Sequence, residues 1–323
     1  LQLLNAIDAS SGATIPFNSY HQLVVESLAS QAALVFNNQL LLQRQEALLK
    51  FEHDLQIGRQ IQAGFLPEKL PSPSGWQIAT RFMPAREVAG DFYDAFMLGP
   101  DTMGFVVADV CDKGVGAALF MALVRSLVRV YTQQRYAALS AESARGRAGA
   151  EGMDLELAGG LDLTGTALRE ALILANDYIG ENHLSMNMFA TAFAGVVNVR
   201  TGALQWVNAG HNAPMHLSVD GTVARMPSRS PAVGMFPGFQ FEAKAGQLEV
   251  GDLLVVFSDG IPDARNPHGQ SFTEARLLER VKEAGGMNAD AFVSDVQERL
   301  VSHISTAAQF DDITLMAIRR LGA

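Results

Sequence analysis

Four acidic positions in this sequence stand where an apolar run stops. They are Asp91 in AGDFYD, Asp109 in ADVCDKG, Asp259 in FSDGIPD, and the pair Asp311 and Asp312 in FDDITL. Asp109 is the sharpest case. The run Phe105, Val106, Val107, Ala108 ends there, a glycine-spaced turn follows (Asp112, Lys113, Gly114, Val115, Gly116), and a small-residue apolar segment then opens a helix. Short apolar runs bounded by turn signals are the pattern of buried strands. A carboxylate at the end of such a strand is held on a rigid element. Several carboxylates converging on one pocket repel one another unless cations stand between them. Hard oxygen ligands in octahedral geometry suit Mg²⁺ or Mn²⁺. Two such ions about 4 Å apart can hold and deprotonate a water and clamp a phosphoryl group. Any one of these aspartates also fits a plainer role, as the cap of a turn. Their recurrence at four strand ends is what favours a metal site.

Other reactive side chains carry weaker signals. Cys111 is the single cysteine, so there is no disulfide framework and a reducing compartment is expected. A cysteine phosphatase would need an arginine further along the loop to cradle phosphate, where Ala117 stands. Cys111 therefore reads as a small buried thiol. His211, in AGHNA, is a candidate general acid or zinc ligand, but the seven histidines lack metal-ligand spacing, which argues against zinc. Asp263 reads as a turn cap beside Asp259. Met186 and Met188, beside Phe189, read as core. Arg81 and Arg86 could meet a substrate phosphate, although solvated turns explain them as well.

The elements that must position these residues follow from periodicity. From 21 to 65 there is no proline, and Leu34, Leu41, Leu48 and Leu55 fall seven apart among polar residues. This predicts one long amphipathic helix, a candidate coiled-coil seam. The complementary positions are mixed (Asn38, Gln45, Glu52 at one offset, Phe51 at the other), so a homodimer through this helix and packing on its own domain both stay open. Pro67, Pro71, Pro73 and Gly75 make residues 67–75 a linker. Strands are expected at 76–83, 92–98, 105–109, 189–199, 203–208, 214–219, 252–258 and 313–318, with helices at 116–135, 166–183, 273–284 and 289–304. Residues 137–165, rich in Ala, Gly, Ser and Glu, read as a flexible surface insertion. Strands come in consecutive runs with helices between the runs, which is an α+β pattern.

Composition sets the outer bounds. The chain has 323 residues, 48% hydrophobic and 18% charged, which describes a globular protein. A net charge of −10 with no basic block argues against a nucleic-acid partner. In so acidic a chain, metal ions rather than lysines would supply positive charge to a phosphate-handling site. No apolar run approaches the roughly 20 residues of a membrane span. The start, LQLLNAIDASSGATIPF, has neither an initiating Met nor a basic leader, so the chain reads as a piece of a longer protein.

Six motifs in order, AGDFYD, ADVCDKGVGAALFMAL, FATAFAGVVN, VNAGHNAP, GDLLVVFSDGIPDARN and DDITL, resemble the SpoIIE/RsbU branch of the metal-dependent protein phosphatases, the PPM or protein phosphatase 2C superfamily. The resemblance runs from about 60 to 320, outside the insertion. It implies an αββα sandwich of two antiparallel sheets flanked by helices, preceded here by the long N-terminal helix, with the phosphatase domain at 76–323. It also implies that Asp91 binds metal, that Asp109 bridges two Mn²⁺ or Mg²⁺ ions with the carbonyl of Val110 adding a ligand, and that Asp259 and Asp311 complete the site. Asp312 stands beside the last ligand, where relatives carry Asn or Asp, and is the second choice for a metal ligand there. Residues 16–43 resemble the last helix of a GAF sensor domain. EHDLQIGRQIQAGFLP resembles the regulatory helix that precedes such phosphatase domains, so 1–66 reads as a sensor end and a signalling helix.

The implied activity is hydrolysis of protein phosphoserine or phosphothreonine by in-line attack of water, with no covalent phosphoenzyme. The implied substrate is a phosphorylated STAS-type anti-sigma-factor antagonist (an anti-anti-sigma factor) in cytoplasmic partner-switching signalling and stress response. Two positions depart from the family: Ala89 where relatives carry Gly, and Cys111-Asp112 where they carry Ser-Gly. A catalytically silent adaptor that binds a partner protein is the alternative those departures raise. A nucleotide cyclase or phosphodiesterase is a third reading, since Gly90-Asp91 resembles a metal-binding turn in diguanylate cyclases, but Phe92-Tyr93 stands where Glu-Phe should follow.

Overall fold

The structure, a computed structural model, describes residues 6–148 and 158–322. The chain divides into two units, Leu1–Ile57 and Gly58–Ala323. In the first, β1 (Ala6–Ile7) and β2 (Thr14–Ile15) form a two-stranded ribbon. The Asp8 carboxylate accepts the Ser10 and Ser11 backbone N–H groups at their turn. Helix α1 (Ser19–Ala63) then starts behind Asn18, whose Oδ1 accepts the His21 N–H at 3.0 Å. Its leucines at 34, 41 and 48 are exposed.

In the second unit, residue alternation decides the layers. One sheet has the order β10 (Lys244–Gln247), β7 (Ala203–Ala209), β6 (Ala190–Asn198), β5 (Thr102–Val110), β4 (Phe92–Gly99). The other has β3 (Trp76–Met83), β12 (Ile313–Arg320), β11 (Leu253–Phe257), β8 (Met215–Leu217), β9 (Val223–Arg225). Every strand pairing is antiparallel. Successive side chains of a strand point to opposite faces. Phe105 and Val107 of β5 therefore meet Leu254 and Val256 of β11 and Met316 and Ile318 of β12 between the sheets. The alternate residues Val106, Ala108 and Val110 face α2 (Val115–Ala148) and α3 (Ala158–Asn182). Leu253, Val255 and Phe257 face α4 (Gly260–Asp263), α5 (Glu274–Glu283) and α6 (Ala289–Ile304). The result is helix, sheet, sheet, helix, as expected. Each large apolar side chain buried this way contributes about 1.5–3 kcal/mol.

The stretch expected as a surface insertion, 137–165, carries the end of α2 and the start of α3, with 149–157 outside the described residues. Its Ala, Glu, Leu and Arg are strong helix formers, and they outweigh the Gly and Ser that suggested a break. Among the described residues one helical stretch, 115–145, is long and apolar enough to cross a membrane. Its apolar face is Ala117, Phe120, Met121, Val124 and Val128, packed into the core. Its polar side fixes it to the sheet: Arg125 and Arg129 reach the fully buried Asp94 of β4 at 2.9 and 3.0 Å. Leu66 and Leu70, between α1 and β3, pack on the cores, so this unit begins before Trp76.

Candidate metal centre

Strand register sets the first pair of carboxylates. In the β4–β5 ladder Phe92 lies opposite Ala108, so Asp91 and Asp109, one step further, leave the same end of the sheet on the same face. That face carries Ala95, Phe105 and Val107 toward the second sheet. Asp91 is buried, and its Oδ2 accepts a hydrogen bond from Thr314 Oγ1 of β12 at 2.6 Å.

The second sheet brings the others. Phe257 lies opposite Leu315. Beyond it Ser258 N donates to the Thr314 carbonyl at 3.0 Å, and Thr314 N donates to Ser258 Oγ at 3.0 Å. This double link holds the exit of β11, with Asp259, against the entry of β12, with Asp311 and Asp312. Gly260 lies so close to the Asp312 carbonyl that a side chain there would collide with backbone. Asp312, expected as a ligand, has both oxygens engaged elsewhere: Oδ1 accepts the Ala85 N–H at 2.7 Å and Oδ2 the Gly90 N–H at 2.8 Å. It ties β12 to the turn that delivers Asp91.

The electrostatics show how crowded these groups are. Burial, then Asp259, Asp311 and Asp312, push the Asp109 carboxyl from 3.8 up to about 7, against a hydrogen bond with Asp91. Burial and then Asp109 push Asp91 up as well. Burial and then Asp311 raise Asp259, and burial raises Asp312. Among the described residues no three Asp, Glu, His or Cys side chains already stand in ion-holding geometry. Positive charge comes instead from Lys113, whose Nζ is 2.8 Å from Asp311 Oδ2, 3.0 Å from the Phe310 carbonyl and 4.9 Å from the centre of the Phe310 ring. Clustered carboxylates that push one another's pKa up, with one ammonium beside them, fit hard divalent cations. The carbonyl of Val110 faces Gly90, where a Cβ would lie 2.9 Å from that oxygen. The cradle stays open because the residue is glycine.

The two departures from the expected pattern are accommodated. Ala89 is buried and is not among the residues with positive φ, so its methyl meets no backbone penalty. Asp112 does have φ 74°, the region that favours glycine, and its Oδ1 accepts the Lys113 N–H at 2.8 Å. Cys111 pairs with Phe189 through its backbone, and its Sγ accepts the Phe189 N–H at 3.1 Å. Burial pushes its thiol up, away from nucleophilic use.

His211 is buried and held neutral, its pKa lowered from 6.5 to about 4 by burial. Its Nδ1 is 2.9 Å from Thr191 Oγ1, which donates to the Asp109 carbonyl at 3.4 Å. It therefore stands behind the site rather than in it. Arg81 is bound by Gln297 and Ser294 of α6 and ties β3 to that helix. Asp263 lies in α4, where its backbone N–H donates to the Asp259 carbonyl at 3.0 Å. Met188 packs on the core, whereas Met186 is exposed, because a short helical turn at Leu184–Met186 rotates it outward. Thr314, Ser258 and Lys113 were not singled out from sequence. Thr314 had a readable signal, as a hydroxyl in the otherwise apolar run 313–318.

The profile of the family described as Stage II sporulation protein E (SpoIIE) matches residues 99–321. Protein IcfG of Synechocystis sp. is 40% identical over 272 residues, which are 83% of this chain and 41% of that protein. Phosphoserine phosphatase RsbU of Bacillus subtilis is 24% identical over 274 residues, 84% of this chain and 71% of that protein. The chain thus spans about two fifths of one relative and seven tenths of the other. Among solved structures, the SiaA-PP2C domain of Pseudomonas aeruginosa superposes with a TM-score of 0.62 at 19% identity, covering 84% of this chain and 98% of that domain. The two-sheet architecture is therefore that of a PP2C domain.

Proposed function

This chain belongs to the SpoIIE family, and from that premise we propose that it is a Mn²⁺- or Mg²⁺-dependent protein serine/threonine phosphatase. The observation that carries the proposal is the convergence of Asp91, Asp109, Asp259 and Asp311 at one end of the two facing sheets. Two divalent cations on these carboxylates and the Val110 carbonyl would supply a nucleophilic water at neutral pH and positive charge for the phosphoryl oxygens. The chain's own residues do the rest. Asp109 stands where it touches the fields of Asp91 and of Asp259 and Asp311, which suits a bridging role. Thr314 fixes the rotamer of Asp91, and Asp312 holds the Ala85–Gly90 backbone. Lys113, 2.8 Å from Asp311, would have to give up that carboxylate for it to hold a cation. The adaptor reading loses its support, since neither Ala89 nor Asp112 disturbs a ligand.

The substrate we infer is a phosphoserine on a STAS-type anti-sigma-factor antagonist, in the cytoplasm. It is supported by the likeness to RsbU, which is named a phosphoserine phosphatase. With Mn²⁺ present, the chain should release phosphate from such a phosphoprotein with kcat/KM at least about 100-fold above that on p-nitrophenyl phosphate, a gain of about 2.7 kcal/mol from remote contacts. Equal rates on the two would rule this substrate out.

Residues 1–66 are read as the end of a GAF-like sensor and a signalling helix, with a homodimer formed along α1. Leu34, Leu41 and Leu48 are 66%, 52% and 61% exposed at heptad spacing. Sedimentation equilibrium should show a dimer that becomes a monomer in Leu41→Asp/Leu48→Asp. A monomeric wild type would sink the seam.

A further inference from the structure

We propose that Gln62 is a positioning residue for the metal centre, acting through the turn that carries Ala89, Gly90 and Asp91. Its importance to catalysis rests on the phosphatase reading above. Gln62 is the one buried residue of α1, although it is polar and lies in the last turn of a helix whose other side chains are exposed or half-buried. Its amide is fully matched. Nε2 donates to the Ala89 carbonyl at 2.6 Å, and Oε1 accepts the Ala89 N–H at 2.9 Å. One side chain thus satisfies both backbone groups of a residue that is itself 0% exposed.

The next residue explains what this staple secures. Gly90 N donates to Asp312 Oδ2, and Ala85 N to Asp312 Oδ1. The turn is therefore held from one side by Gln62 and from the other by Asp312. Between these anchors Gly90 lies against the Val110 carbonyl, and Asp91 follows immediately. Contacts around the staple extend it. Val88 is buried, and a Cβ at Gly58 would lie 3.6 Å from it. Arg59 and Glu87 sit 3.5 Å apart at the surface.

Only a side chain that both donates and accepts can replace these two bonds. Leucine keeps the bulk and loses both. Glutamate keeps the acceptor and sets a carboxylate against the Ala89 carbonyl. Partners that hold a ligand in place typically account for about 10–100-fold in metal affinity. By linkage, what orders the turn favours metal, and metal favours the ordered turn. The last turn of α1 and the Asp91 turn are consequently tied together by these two bonds.

The test uses the whole 323-residue chain. Mn²⁺ is titrated calorimetrically into wild type, Gln62→Leu and Gln62→Glu, and amide hydrogen exchange at residues 85–91 is followed without metal. Both variants should bind Mn²⁺ at least about tenfold more weakly. Exchange across 85–91 should accelerate while β5 and β6 stay protected. At saturating Mn²⁺, kcat for p-nitrophenyl phosphate should fall with KM nearly unchanged. Wild-type Mn²⁺ affinity together with wild-type exchange in either variant would overturn the proposal. If Gln62→Leu does not fold, Gln62→Glu, which retains one bond, decides it with a smaller change in the same direction. A wild type that binds no Mn²⁺ would overturn the phosphatase reading, while the exchange data, read without metal, would still decide whether Gln62 holds the turn.

Discussion

Asp109→Asn is expected to lower Mn²⁺-dependent kcat/KM for p-nitrophenyl phosphate by about 10³-fold or more, about 4 kcal/mol of transition-state stabilisation. The variant should melt no lower than the metal-free wild type. The reason lies in where register puts this residue. Asp109 lies near the end of the buried strand β5, sits across the ladder from Asp91, and feels Asp259, Asp311 and Asp312 from the opposite sheet. Amidation removes one charge from the centre of the cluster while keeping its shape, so the fold has no reason to suffer. Steady-state assays with Mn²⁺, Mg²⁺ and EDTA check this. A variant retaining a tenth of wild-type activity would mean that Asp109 holds no cation.

The second large effect is on stability. Without metal, the protein should lose stability as pH rises through the range where the cluster ionises. Asp109 titrates near 3.8 unfolded and at about 7 folded, so the folded state binds the proton more tightly. Its contribution is complete below about pH 4 and is lost as pH rises through about 7. The rise from 3.8 to about 7 corresponds to at most about 4 kcal/mol, or roughly 8–16 °C in Tm for a domain of this size. Asp91 and Asp259 are raised too and act in the same direction.

His211 acts oppositely. Its pKa is lowered from 6.5 to about 4, so it gains stability as pH rises between those values. The window above about pH 6.5 therefore belongs to the carboxylates. Thermal melts in EDTA at pH 6.5 and 8.5 should show wild type falling, Asp109→Asn falling much less, and Mn²⁺ restoring the wild type at pH 8.5. A wild-type Tm that does not change with pH in EDTA would show that the carboxylates are not crowded.

Much of this arrangement was legible in the sequence, for physical reasons that differ by element. Strand β11 could be placed because the run DLLVVFS is apolar on both faces and stops at a turn. Each metal-ligand candidate was visible because a carboxylate interrupts such a run. What stayed hidden depends on contacts between elements distant in sequence. Gln62 is an unremarkable polar residue in a polar helix until Ala89, 27 residues on, is packed beside it. Asp312 looks like its neighbour Asp311, and only the turn at 85–90 shows that its oxygens are already bound. Lys113 has no sequence signal for its partner at Asp311. The ends of α2 and α3 were obscured by composition, because Gly and Ser among the alanines suggested a break where helix propensity prevailed. Strand β9 is three residues long, too short to show a period.

The claim on which everything else depends is that the four strand-end aspartates together hold two ions. Calorimetric titration of Mn²⁺ into the metal-free wild type, with Asp109→Asn and Asp311→Asn beside it, measures this directly. A stoichiometry of two for wild type, with binding lost or reduced to one ion in each variant, is the expected result. Wild type that takes up no Mn²⁺, or variants that still bind two ions, would contradict the site.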